Sequence, residues 1–151
     1  MRDMDDAIRK RESARFMETW HRIDSLYNLY ARSLGLSLSA TLVLECLYYP
    51  GDVYTQKGLS EKFGLPKQAV NSIIKSFWEQ GYVELKEAKD RRNKEIFLTD
   101  KGRVHAREIT GQFEAMEAKV WERFTIEEMT IFADFMEIFE KSLEEVTAQS
   151  N

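Results

Sequence analysis

The chain has 151 residues, 43% of them hydrophobic and 32% charged, with a formal net charge of -4. That length suits one domain with a sizeable core, and 7 glycines with only 2 prolines favour a mainly helical, soluble protein. No run of about 18 apolar residues is present and the opening MRDMDDAIRKRESARF lacks an apolar signal core, so the expectation is a cytoplasmic chain that neither crosses nor sits on a membrane. The single cysteine, Cys46, allows no internal disulfide, as a reducing compartment would require.

In chain order, Phe16, Trp20, Ile23, Tyr27, Tyr30 and Leu34 repeat at alternating spacings of four and three, which predicts a long first helix with one apolar side, ended at Gly35. Ser37 or Ser39 caps a second helix carrying Leu42, Val43, Leu44, Cys46 and Leu47, stopped by Pro50-Gly51. Thr55 caps a third helix from Gln56 to Phe63, closed by Gly64. Pro66 suits the first turn of a fourth helix, where a missing N–H costs nothing. Spaced at about 100° per residue, Val70, Ile73, Ile74 and Phe77 fall on one side of this helix and Lys67, Gln68, Asn71, Ser72 and Lys75 on the other. The second side combines amides and a hydroxyl, which pair with base edges, with lysines, which neutralise phosphates. An ordinary amphipathic helix with a hydrated face has the same pattern.

After Gly81 the periodicity changes. Val83 and Leu85 alternate with Glu84 and Lys86, and Ile96 and Leu98 alternate with Glu95 and Phe97, as in two half-buried strands of a hairpin. The tip between them, KEAKDRRNK, is strongly basic. Between Lys57 and Lys94 nine Lys/Arg face five Asp/Glu, a balance of +4, so the remaining 13 basic and 21 acidic residues carry -8. One face built for phosphates on an otherwise acidic molecule accounts for that asymmetry. Helix, turn, helix and basic hairpin together predict a winged helix-turn-helix, a device for gripping double-stranded DNA.

The chain resembles the MarR-type transcriptional regulators, through Asp90-Arg91-Arg92 followed by Ile96-Phe97-Leu98-Thr99 and Lys101-Gly102, and through KQAVNSIIKSF leading to Gly81. The resemblance implies an obligate homodimer that reads a pseudo-palindromic duplex operator, most often as a repressor released by a small aromatic or lipophilic effector. By matching position, Lys67, Gln68, Asn71, Ser72 and Lys75 belong to the recognition helix and Thr55 and Gln56 meet the DNA backbone. In the wing, Asp90 orients Arg92, the minor-groove arginine, between Arg91 and the neighbouring Asn93 and Lys94. Trp78 and Leu85 stand where the family often has a charge, and the span from Gly81 to Asp90 is one residue short.

The expected fold is therefore mainly α with a small β-wing: six helices and a two- to three-stranded antiparallel sheet. Residues 36–102 form the DNA-binding region, and 1–35 with 103–151 form a helical dimerisation region. In the last helix Met129, Phe132, Met136, Phe139, Leu143 and Val146 form an apolar stripe widened by Ile131, Phe135 and Ile138, more than one small domain readily covers. Trp20, Tyr27, Tyr30, Tyr48 and Trp121 are candidate effector-binding residues, since aromatics suit an apolar pocket; core packing explains them equally well. His21 and His105 lie on separate helices with no metal-ligand spacing, and no phosphate loop, nucleophile elbow or dinucleotide fingerprint is present. Neither an enzyme nor a cofactor or metal is expected. Cys46, inside LVLECLYY, reads as a small hydrophobe. The rival readings are a winged-helix dimer that binds a protein partner without DNA, and a ligand sensor.

Overall fold

The computed structural model describes residues 2–49, 51, 53–87 and 94–149. They form six helices, α1 (Arg2–Ser33), α2 (Leu38–Tyr48), α3 (Gln56–Phe63), α4 (Lys67–Glu79), α5 (Asp100–Trp121) and α6 (Ile126–Ala148), and three short strands, β1 (Tyr54–Thr55), β2 (Val83–Glu87) and β3 (Lys94–Leu98). No helix among these residues is long and apolar enough to cross a membrane. The chain divides into two compact units, Met1–Thr110 and Gly111–Asn151. The bounds expected from sequence, 35 and 102, fall just after α1 and in the first turn of α5, and the two compact units part further along α5.

Local signals set most boundaries. Gly35, at φ 80°, follows α1, and the N–H groups of Gly35 and Leu36 donate to Arg32 and Ala31 carbonyls, a closure that leaves Leu34 just beyond the helix. Ser37 is the N-cap of α2, its hydroxyl oxygen accepting from the Ala40 N–H at 3.1 Å. Thr55 does the same for Gly58 at the start of α3, and Gly64 ends α3 at φ 60°. Pro66 falls one position earlier than the sequence predicts. With ψ at 140° it is the N-cap of α4 rather than part of its first turn, and its carbonyl accepts from the Ala69 and Val70 N–H groups.

The core of the first unit gathers one face of each element: Val43 and Leu44 from α2, Leu59 from α3, Val70, Ile74 and Phe77 from α4, Val83 and Ile96 from the sheet, and Ala106 and Ile109 from α5. The sheet order is β1-β3-β2, antiparallel throughout. Val83 faces Leu98 and Leu85 faces Ile96, so the alternation read from sequence turns its apolar positions inward.

Candidate nucleic-acid interface

The fourth helix divides into the two faces its periodicity predicts, with Ile73 only half-buried on the apolar side. Val70, Ile74 and Phe77 are almost fully buried, while Lys67, Gln68, Asn71, Ser72 and Lys75 are all exposed. Anchoring one side in this way fixes the direction of the other. Lys67 and Lys75 are eight residues apart, about 12 Å along the axis, comparable with the roughly 12 Å width of a B-DNA major groove. Lys75 lies 3.8 Å from Glu79, an exposed pair that screening makes weak. Its ammonium therefore remains exchangeable toward a phosphate.

Trp78 continues the exposed side and is 58% exposed. Within one copy of the chain its ring stays in solvent. At the start of α3, the Thr55 side-chain oxygen is engaged as the N-cap and Gln56, the first helical residue, is half-buried. Lys94 opens β3, is exposed, and stands opposite Glu87 in the ladder. Asp90, Arg91, Arg92 and Asn93, the tip assigned to the minor groove, lie outside the described residues.

The exit of α4 is tied to the start of α5 by a compact set of bonds. Gly81, at φ 73°, and Tyr82 donate their N–H groups to the carbonyls of Trp78 and Phe77 at 2.9 and 2.8 Å, a Schellman closure that only glycine adopts easily. The Thr99 hydroxyl donates to the Gly81 carbonyl at 2.7 Å and its oxygen accepts from the Gly102 N–H at 3.0 Å, so one side chain joins the two helices. Lys101 donates to the Gln80 carbonyl at 2.7 Å and lies over the Tyr82 ring. His105 stacks on the same Tyr82 ring, the two centroids 4.3 Å apart. These contacts give the Leu-Thr-x-x-Gly pattern a mechanical meaning: the threonine caps and bridges, and the glycine clears the neighbouring chain.

The candidate effector residues are not brought into one cavity of the first unit. Tyr48 lines a cleft with Tyr49, Asp100, Arg103, Val104 and Arg107. Trp20 is exposed on α1, Tyr27 and Tyr30 are half-buried there, and none of the three lines this cleft. Trp121 belongs to the second unit, where it meets Phe124 and Phe132. Cys46 is half-buried on α2. Among the described residues no group of three or more His, Cys, Asp or Glu is placed to hold a metal. The arginines at 103 and 107 were not singled out in the sequence; their four-residue spacing on one helix face was the available signal.

Six helices, a three-stranded antiparallel sheet and a presented helix α4 define a winged helix-turn-helix protein. A model of the MarR family matches residues 34–93. Among solved structures the chain is similar to NMB1585, a MarR family regulator from Neisseria meningitidis, at 26% identity and a TM-score of 0.70 over 91% of this chain and 99% of that one. It also shares its fold with Streptococcus pneumoniae FabT, solved in complex with DNA (17% identity, TM-score 0.70, 91% and 98% covered), and Staphylococcus aureus MepR, likewise solved with DNA (19%, 0.71, 87% and 97%). No curated protein matches the chain. By these matches the chain is similar to MarR family regulators: the family model accounts for residues 34–93, and the solved structures share its fold.

Proposed function

We propose that the protein is a homodimeric, sequence-specific reader of double-stranded DNA that acts in the cytoplasm as a repressor, and that a small molecule releases it from its operator. The observation that carries this reading is α4: an apolar side buried to the last few per cent at Val70, Ile74 and Phe77 holds Lys67, Gln68, Asn71, Ser72 and Lys75 outward as one polar, cationic surface. Two such helices in a symmetric pair meet half-sites about 34 Å apart, one duplex turn. The two DNA complexes among the structural neighbours support the same use of the fold. In this reading Thr55, Gln56 and Lys94 approach the phosphate backbone, and the basic tip containing Asp90, Arg91, Arg92 and Asn93 reaches the minor groove.

The test is binding to a mixed duplex library as a function of salt. A DNA reader loses affinity steeply, with a log–log slope of roughly -0.9 per phosphate neutralised, and selection of the bound duplexes yields the operator. On that operator Asn71→Ala is expected to cost about 1–3 kcal/mol of discrimination at one base step, while Arg92→Ala and Lys75→Ala weaken all sequences more evenly and flatten the slope by about 1 each. Absence of salt-dependent duplex binding would favour the partner-binding module instead, and unchanged affinity in all three variants would remove these residues from the interface.

A further inference from the structure

α4 exposes one large apolar side chain, Trp78. At about 100° per residue it stands about 20° around the axis from Asn71 and about 60° from Lys75, so its exposed neighbours on that flank are an amide and an ammonium. Ile74, one turn before it, and Phe77, beside it, are each 1% exposed. The backbone at Trp78 is thereby held while its ring is left outside the core. Among the described residues the indole has no hydrogen-bond partner and no ring or cation stacked on it. An indole combines a broad apolar ring with a single N–H donor, which suits a surface that is apolar on one side and wet on the other. The sugar–phosphate chain of DNA is such a surface, with deoxyribose carbons beside phosphate oxygens.

Position along the helix selects the same partner. Lys67 and Lys75 span about 12 Å, and Trp78 follows about 4.5 Å further on. With the two lysines across a major groove of roughly 12 Å, the tryptophan falls at the groove's edge, where the sugar–phosphate chain runs. Long helical side chains lean toward the preceding turn, which brings the indole back toward Lys75 and that edge. We propose that Trp78 is a further DNA-contacting residue, its ring packed on a deoxyribose and its N–H donating to the adjoining phosphate. α4 then grips the backbone through an uncharged contact beside the charged one at Lys75. The inference rests on reading α4 as the helix that enters the major groove. A neutral donor displaces no counterion, so this contact adds affinity without adding salt dependence.

The probe is the set of duplexes that the unmodified full-length protein selects from a mixed library. Trp78→Ala should bind them about tenfold more weakly, the size expected for uncovering much of one aromatic side chain. The factor should be the same at every salt concentration, whereas Lys75→Ala flattens the log–log slope. A second measurement needs no loss of function. Protein carrying fluorotryptophan gives a fluorine resonance for Trp78, identified by its disappearance in Trp78→Phe. The shift of that resonance between light and heavy water, present in the free protein, should largely vanish on saturation with duplex. Equal binding by Trp78→Ala, a loss of affinity that varies with salt, or an isotope shift that survives saturation would each overturn the proposal while leaving duplex binding in place. An isotope shift already absent before DNA is added would mean that a second copy covers the ring, and would overturn it as well. No duplex binding by the unmodified protein would instead remove the DNA reading, and the proposal with it.

Discussion

Gly102 shows how much of a family pattern can be explained by one missing atom. A Cβ built on it would run into the carbonyl and Cα of Tyr82, all backbone, at the point where the Gly102 N–H also caps onto Thr99. Neither obstacle can rotate away, because Tyr82 is held by its N–H bond to Phe77 and its carbonyl accepts from the Thr99 N–H. Gly102→Ala is therefore expected to destabilise by about 1–3 kcal/mol, the usual range for forced overpacking, read as a drop of several degrees in the thermal midpoint. Gly111→Ala, on the same helix with no atom within 4 Å of the added carbon, should be neutral or slightly stabilising. An equal effect at both positions would mean that helix propensity, not the approach to Tyr82, decides the outcome. The sequence displayed the Leu-Thr-x-x-Gly pattern, yet the reason for its glycine appears only when residues 82 and 102, twenty positions apart, are brought together.

Between elements, legibility follows the range of the interaction that sets each feature. The bounds of α3, the left-handed closures at Gly35, Gly64 and Gly81, and the two faces of α4 depend on residues within a turn or two, and sequence spacing predicts them. The joint between α4 and α5 depends on Thr99, Lys101 and His105 meeting residues 80–82, and no short-range pattern announces it. His105 makes this joint sensitive to pH. Burial beside Tyr82 holds its imidazole below the usual histidine range, the Lys101 charge adds to the effect, and Glu108 opposes it. The folded protein thus favours the neutral ring, and around the ordinary value of 6.5 the unfolded chain takes up the proton more readily. Stability contributed by this group is fully present above pH of about 6.5 and is lost as pH falls through the lower folded value. Thermal midpoints measured from pH 7.5 to 5.0 should accordingly fall more steeply for the unmodified protein than for His105→Gln. Parallel curves would show that the stack with Tyr82 carries no proton linkage.

At the scale of the molecule, the apolar stripes of the terminal helices were readable as periodicities, but what covers them was not, because periodicity cannot tell a core from an interface. Within one copy of the chain the stripes stay largely uncovered. α6 has no buried residue, and Ile131, Phe132, Phe135, Ile138, Leu143 and Val146 are all between 49% and 65% exposed; on α1, Trp20, Ile23, Leu26 and Leu29 are likewise exposed. Isolated exposed hydrophobes are ordinary, but continuous stripes on two long helices exceed what monomeric surfaces carry. A second copy would supply the same stripes in return, the self-complementarity that a two-fold interface requires, and about 800 Å² per partner would be enough for stable association. Sedimentation equilibrium at micromolar concentration should therefore give a mass near twice 17.8 kDa. Phe132→Glu combined with Leu143→Glu places charges in the stripe without touching the winged unit, and should halve that mass while leaving the melting of α2 to α4 largely intact. On the proposed function two recognition helices engage one operator, so the same variant should also lose most of its operator affinity, yet keep the salt-dependent, nonspecific affinity of a single wing. A single-chain mass for the unmodified protein, or a variant that remains paired, would move the interface away from α6.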